Sequence, residues 1–299
     1  MTVLEAIQKS TEFLAKKGVE SPRLQTELLL AHQLKMPRMK LYLNFDRVLT
    51  APETDGLREL IKRRAAREPL QHITGSTNFC GHEIAVSRHA LVPRPETELL
   101  AEFGWKFLAE RRPPVRREGD LQKHAGPEIG APTALDFGTG TGCIAIALAA
   151  KCPAAKITAL DISADALALA NQNAAQNQVA NRIEFLQGDG FAALAEKTQF
   201  DLLVSNPPYI ASAEIATLEP EVKDFDPRAA LDGGTDGLDF YRRLAAEAKP
   251  FLKPDGKLMV EFGDGQAEDL KKIFAAEKWI VEAVQEDYSH RARILIAKL

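Results

Sequence analysis

From Ala134 onward, short apolar runs alternate with helix-like segments, and this alternation restricts the fold more than any other feature. The runs TALDFG, KITALDI, RIEFLQGD, FDLLVSN and GKLMVEFG mostly end in Asp, Asn or Gly, and segments such as IAIALAAK and ADALALANQNAAQ lie between them. Strands that are apolar throughout are buried on both faces, so the pattern predicts an α/β fold whose mostly parallel sheet is covered on both sides. The last two runs, WIVEAVQED and RARILIAKL, are separated only by YSH. A link that short forces an antiparallel terminal hairpin, because a parallel return needs a long crossover.

The first 73 residues have a different chemistry. Leu4, Ile7 and Leu14 fall on one helical face, Ser21-Pro22 reads as a helix start, and Thr50 to Glu53 has the spacing of a capping box. This stretch holds 13 Lys/Arg against 9 Asp/Glu, a charge of +4, whereas the remainder holds 25 against 33, or −8. The contrast predicts a small N-terminal helical domain over residues 1–73. Residues 74–95, with β-like runs broken by glycines and prolines, read as a hairpin or hinge linker, and 96–299 as the α/β domain. Residues 111–132 lack apolar periodicity and read as an exposed loop or insertion. With 299 residues and a net charge of −4, the chain is large enough for a substantial core and is not a whole-chain polyanion binder. Three cysteines without a C-x-x-C pair and six histidines without metal spacing argue against a disulfide framework and a metal centre. The N-terminus has no signal-peptide core, and no apolar run is long enough to span a membrane, so a cytoplasmic location is expected.

The loop Asp136-Phe-Gly138-Thr139-Gly140-Thr141-Gly142 falls between a strand and a helix. Alternating glycines let the backbone turn sharply and let a ligand approach without Cβ interference. Ligands of open α/β sheets sit at such strand C-termini. An NAD-dependent oxidoreductase is one alternative, but its fingerprint is G-x-G-x-x-G, whereas here an acid precedes G-x-G-x-G. The latter pattern resembles motif I of S-adenosylmethionine-dependent methyltransferases, where a carboxylate such as Asp136 suits a methionine ammonium better than a phosphate. The next strand ends in Asp161, 25 residues on, where an acid accepts ribose hydroxyls in either cofactor class. The third strand runs into Asp189-Gly190-Phe191. In the methyltransferase reading, Asp189 accepts from the adenine amino group, and the Gly190 backbone and Phe191 border the ring.

After the fourth strand comes Ser205-Asn206-Pro207-Pro208-Tyr209. The prolines stiffen this turn and remove two N–H donors. The Asn206 side-chain carbonyl and the Pro207 main-chain carbonyl make a pair of acceptors matched to a planar NH₂ group, and Tyr209 is suited to packing on a flat amide or base. An amide nitrogen is a poor nucleophile because its lone pair is delocalised. Acceptors on both N–H groups enrich that nitrogen as it pyramidalises, and their bonds strengthen as positive charge develops. Asn206, Pro207 and Tyr209 are therefore the expected catalytic residues, and Asn206 to Tyr209 the substrate clamp. Exocyclic base amines call for the same chemistry, so a nucleic-acid amino-methyltransferase is a second alternative. The acidic total charge and the absence of an obvious target-recognition domain weigh against it. A non-catalytic module that kept the cofactor fold is a third alternative, disfavoured by the intact Asn206–Tyr209 segment.

With PLQHITGSTNFCG, VPRPETELL, DFGTGTG, SNPPYI and EVKDFDPRAALDGGTDGLDFYRRL in view, the chain resembles the release factor glutamine N5-methyltransferase family over nearly its whole length. The resemblance implies a Rossmann-like S-adenosylmethionine methyltransferase sheet behind a small helical domain. It implies that Gly138 to Gly142, Asp161, Asp189, Gly190 and Asn206 contact the cofactor, with S-adenosylhomocysteine as product. It further implies that Asn206 to Tyr209 hold the glutamine of the Gly-Gly-Gln motif of class I peptide chain release factors, with no direct nucleic acid partner. Some members carry tryptophan where Gly190 stands, and the loop at 111–132 is longer than is typical. The helical domain would recognise other surfaces of the release factor, with Lys62, Arg63, Arg64 and Arg67 as candidates, although a solvated helix face is the favoured reading of these cations. Gly233, Gly234 and Asp236 either shape a loop near the pocket or form a simple turn with an N-cap. Glu96 and Glu98 either face the pocket or cap a helix.

Overall fold

A computed structural model describes residues 1–111 and 130–299, and the loop expected over 111–132 falls almost wholly outside them. In chain order the elements are α1 (Val3–Lys16), α2 (Pro22–Gln33), α3 (Arg38–Tyr42), α4 (Ala51–Ala65), α5 (Leu70–Thr74), β1 (Ser76–Phe79), β2 (His82–Ala85) and α6 (Thr97–Glu110). There follow β3 (Thr133–Phe137), α7 (Cys143–Lys151), β4 (Lys156–Asp161), α8 (Ala164–Gln176), β5 (Ile183–Gln187), β6 (Phe200–Ser205) and α9 (Pro220–Lys223). The chain ends with α10 (Asp239–Glu247), β7 (Leu252–Glu261), α11 (Ala267–Ala276), β8 (Ile280–Glu286) and β9 (Ala292–Lys298). Two compact units result: residues 1–77 with 218–226, and residues 78–217 with 227–299.

The first unit is helical and encloses its own core of Val3, Ile7, Leu14, Leu29, Leu30, Leu41, Leu57 and Ile61. The capping box at Thr50 forms as the spacing predicts. Thr50 Oγ1 accepts from Glu53 N at 3.4 Å, and Glu53 Oε2 accepts from Thr50 N at 2.9 Å. Ser21 does precede Pro22 at the start of α2, but it lies at φ 45° and makes no side-chain cap. Residues 218–226 supply this unit with acids that meet the α4 cations. Arg64, 4% exposed, donates to Glu221 Oε1 at 2.6 Å, to the Glu68 carbonyl and to Gln25. Arg67 reaches the same Glu221 oxygen and Glu219, both at 2.6 Å. Arg63 pairs with Glu68 and Lys62 with Glu59. Thus the candidate recognition cations at 64 and 67 spend their donors inside the unit, because acids distant in sequence fold against them.

The second unit is a seven-stranded sheet of order β5-β4-β3-β6-β7-β9-β8. The first five strands in that order run parallel, while β9 is antiparallel to both β7 and β8. The YSH turn therefore makes the expected hairpin, with β9 inserted between β7 and the edge strand. Successive residues of each strand feed opposite layers. Ala134, Ile157, Leu202 and Val204 pack with α6 and α7, and Leu135, Leu160, Leu203 and Val260 pack with Tyr241, Leu244, Leu270 and Phe274 of α10 and α11. Every residue of α7 from Cys143 to Ala149 is buried, so this helix is apolar all round. The chain winds outward one way from β3 through β4 to β5, and the other way from β6 to β7. The reversal leaves a crevice at the C-terminal ends of β3 and β6, the switch point at which open α/β sheets bind ligands.

Candidate active site

The glycine loop after β3 is fixed by backbone bonds before any side chain contributes. Gly138 N and Thr139 N both donate to Leu160 O at 2.9 Å, hooking the loop over the end of β4. Gly138 and Gly140 lie at φ 75° and 54°, and a Cβ on Gly138 would meet nothing within 4 Å. The loop thus offers bare backbone to the space before it, a cradle that side chains would fill. Asn173, fully buried on α8, locks the same loop to β2. Its amide donates to Thr141 O at 2.9 Å and to Ala85 O at 3.0 Å, and its carbonyl accepts from Ala85 N at 2.8 Å.

Gly138, Thr139, Gly140, Thr141, Asp161, Asp189, Gly190, Asn206 and Pro208 line one cleft of about 400 Å³. That size suits a small cofactor. Asp161 accepts from Gly140 N at 2.8 Å and from Ser163 N at 2.9 Å, one on each oxygen, which leaves lone pairs for a diol. Ile162 beside it, 63% exposed and on the cleft wall, is the kind of apolar platform that a purine covers. Asp189 at the end of β5 is held by Arg243, whose guanidinium reaches its carboxylate at 2.5 Å and its carbonyl at 3.0 Å. A Cβ at Gly190 would lie 2.6 Å from Arg243 Cζ, so the arginine of α10 fills the space that a side chain at 190 would take.

Five expected site residues are placed elsewhere. Asp136 is fully buried beneath the loop, where Oδ2 accepts from Thr139 Oγ1 at 2.7 Å and from Ala145 N at 3.1 Å. It thereby caps α7, whose N-cap residue Gly142 has no side chain to do so. Its Oδ1 has no partner, and burial pushes its carboxyl up to about 7. Gly142 faces α8, where its Cβ would lie 3.0 Å from Ala170 Cβ. Phe191 faces the core, its ring 4.9 Å from both Phe137 and Phe251. It cannot border a ring in the cleft, because the apolar layer under β3 claims it. Pro207 is buried. Tyr209 sits against Gly263 and gives its carbonyl to Gln266 Nε2 at 2.9 Å; burial pushes its phenol up to about 12.

The loop from Asn206 to Ile210 is laced to the Asp232–Gly237 turn. Ile210 N donates to Leu231 O at 3.0 Å and Gly233 N to Ile210 O at 2.8 Å. A Cβ on Gly233 would lie 2.8 Å from Pro208 O, which explains a glycine there by close approach. Asn206 Nδ2 donates to Thr97 Oγ1 at 3.0 Å. Thr97 itself lines the cleft, whereas Glu98 turns back to accept from Cys80 N at 2.8 Å. Next to this pair is Glu261, buried at the end of β7; burial pushes its carboxyl up to about 7, while the Thr97 and Asn206 side chains hydrogen-bonded to it act the other way. Sequence reasoning passed over Thr97, Asn173, Arg243, Glu261 and Ile162. Glu261 carried a signal, an acid ending a strand like those already weighed, and so did Asn173, a polar residue on an apolar helix face. Among the described residues no group of acids, histidines and cysteines is arranged to hold a metal ion, and no helix is long and apolar enough to cross a membrane.

A bare-backbone cradle, an acid with lone pairs to spare and a proline-stiffened loop, set at the switch point of such a sheet, suit an S-adenosylmethionine-dependent methyltransferase. Residues 5–75 match the PrmC N-terminal domain family and residues 121–219 the methyltransferase small domain family. A release factor glutamine methyltransferase of Geobacter sulfurreducens is 43% identical over 92% of this chain and 88% of its own length. One of Chlorobaculum tepidum is 38% identical over 95% and 93%. The hMettl16 catalytic domain, solved in complex with a hairpin, shares the fold at a TM-score of 0.52 and 15% identity, over 83% of this chain and 82% of its own. The chain belongs to the release factor glutamine methyltransferase family.

Proposed function

We propose that this enzyme methylates the side-chain amide nitrogen of the glutamine in the Gly-Gly-Gln motif of class I peptide chain release factors, and so modulates translation termination in the cytoplasm. The observation that carries the reading is the orientation of Asn206. Its NH₂ is engaged by Thr97, so its carbonyl is the end left to accept from a substrate N–H at the cleft wall. Two glycines before the target would let a narrow backbone enter beside Pro208.

S-adenosylmethionine, when bound, supplies an electrophilic sulfonium methyl. The glycine loop would hold it with bare backbone, Asp161 would accept from its ribose hydroxyls, and Ile162 with Gly188–Gly190 would wall the purine. The Asn206 carbonyl accepts from the substrate NH₂ as the nitrogen pyramidalises, a bond that strengthens as positive charge grows. The nitrogen would gain one N–C bond as the methyl's S–C bond breaks and leaves a neutral thioether, and it would release one proton to water, ending as a neutral secondary amide. Asp136 acts from beneath by capping α7. We assign residues 1–73 to recognition of other surfaces of the release factor, 74–95 to a linker and 96–299 to catalysis, with protein and not nucleic acid as partner.

The test is mass spectrometry of a release factor before and after incubation with enzyme and S-adenosylmethionine. One methyl is expected on the Gly-Gly-Gln peptide, and none after the glutamine is replaced. Asn206→Ala is expected to lower turnover about 10²–10³-fold, the usual cost of a lost transition-state hydrogen bond, while retaining S-adenosylhomocysteine binding. Labelling that persists without the glutamine overturns the assignment.

A further inference from the structure

We infer that Thr97 and Glu261 are positioning residues that set which end of the Asn206 amide faces the substrate. The inference rests on the reading of Asn206 as the acceptor. An asparagine amide presents either an acceptor or a pair of donors, and the two ends have nearly the same shape. A site built to receive an NH₂ group needs the carbonyl, since a flipped amide would set donor against donor. Nothing within Asn206 makes that choice, so its neighbours must.

Three elements converge on it. Asn206 follows β6 and Glu261 ends β7, and the pairing of Ser205 with Val260 sets these two residues side by side at the sheet's C-terminal edge. Thr97 is the first residue of α6 and is buried. Its Oγ1 accepts from Asn206 Nδ2 at 3.0 Å, so its own proton is free to go to an acceptor, and the Glu261 carboxyl is the group beside it. Asn206 thus donates to Thr97, and the donor-bearing side chains of both residues face the Glu261 carboxyl. Glu261 is 3% exposed, its Oε2 has no partner, and its main chain is pinned by Tyr241 Oη at 2.8 Å. A buried carboxyl with an unpartnered oxygen is costly to keep, and a purely structural role would be served as well by an apolar residue. An acid facing the NH₂ end of the amide also polarises it and makes the outward carbonyl a stronger acceptor.

The test compares Thr97→Val, which keeps the shape and removes the hydroxyl, with Thr97→Ser, which keeps the hydroxyl, and with Glu261→Gln. Thr97→Val is expected to lower kcat for glutamine methylation at least 10-fold and to change the Kd for S-adenosylhomocysteine less than about threefold, with Thr97→Ser recovering most of the loss, as for other preorganised acceptors. Glu261→Gln keeps an acceptor without the charge, so a smaller fall in kcat is expected. A second readout needs no turnover. In asparagine-labelled protein, the Asn206 side-chain N–H pair is assigned by its loss in Asn206→Ala. It should exchange slowly with solvent in the parent and fast in Thr97→Val. Unchanged kcat in Thr97→Val, or Thr97→Ser as impaired as Thr97→Val, overturns the inference. If Thr97→Val does not fold, Glu261→Gln decides through the same two readouts, and unchanged values in both overturn it. A parent enzyme that leaves the release-factor glutamine unmodified overturns the functional reading instead, and the exchange measurement still decides whether Thr97 orients the amide.

Discussion

Replacing Asp136 by asparagine should change the pH dependence of stability in a direction fixed by burial. The carboxyl is fully buried, and its pKa is raised from 3.8 to about 7, chiefly by desolvation, with nearby Asp161 adding to it. Below the unfolded value both states hold the proton, and the group costs nothing. Between 3.8 and about 7 the unfolded chain has lost the proton that the native state retains. Native stability then falls by about 1.4 kcal/mol per pH unit, reaching about 4 kcal/mol near pH 7 and levelling off above it. Asparagine does not titrate. Its carbonyl can accept from Thr139 and Ala145, but its NH₂ takes the place of the unpartnered Oδ1, at a pH-independent cost of about 1–3 kcal/mol. The informative quantity is therefore the slope of the difference and not its offset. Glu261 also titrates near 7 but is present in both proteins and cancels. Scanning calorimetry from pH 4 to 8 should show the Tm of Asp136→Asn gaining about 10 °C on the parent up to pH 7, then running parallel, given about 2–4 °C per kcal/mol for a unit of this size. Parallel curves throughout, or a parent that gains on the variant as pH rises, would refute the argument that desolvation governs this group.

Other substitutions test separate parts. Gly233→Ala puts a Cβ 2.8 Å from Pro208 O, so it should displace the acceptor loop and lower kcat about 10-fold or more while moving S-adenosylhomocysteine affinity less, as expected when positioning near the reacting atoms is lost. Asp201 accepts from Thr133 N at 2.9 Å, Arg111 at 3.0 Å and Lys253 at 2.6 Å. Asp201→Ala strands all three and should cost about 3 kcal/mol in urea titrations. Burial opposes ionisation of Asp201, but these donors outweigh it and hold its carboxyl below the usual value. Its contribution is thus present above the ordinary carboxylate range, and the difference between variant and parent should shrink as the pH falls through the lowered value. Glu221→Ala leaves Arg64 buried without its acid and should destabilise the helical unit by about 3 kcal/mol, read by hydrogen exchange in α2 and α4.

How much was legible in the sequence followed the range of the forces involved. Strand and helix periodicity, the YSH turn, the Thr50 capping box and the glycine loop are local, and each could be read from neighbouring residues because burial and backbone sterics act there directly. The loops that end β3, β4, β5 and β6 could be gathered into one place, since a parallel sheet aligns its strand ends. Side-chain direction could not be read. Asp136 and Phe191 stand in the right loops yet point into the protein, because a helix N-terminus lacking its own cap claims the first and an aromatic layer the second. Arg64 and Arg67 look like a free basic face until residues more than 150 positions away fold against them. Thr97, Asn206 and Glu261 lie on three elements with no shared spacing, and only the pairing of β6 with β7 and the packing of α6 bring them together. The sequence alone determined the fold class and picked out the glycine loop and the Asn206–Tyr209 tetrapeptide as the candidate site. The tertiary structure decided which atoms of those motifs face the cleft, because that depends on which distant donor or acceptor each side chain meets.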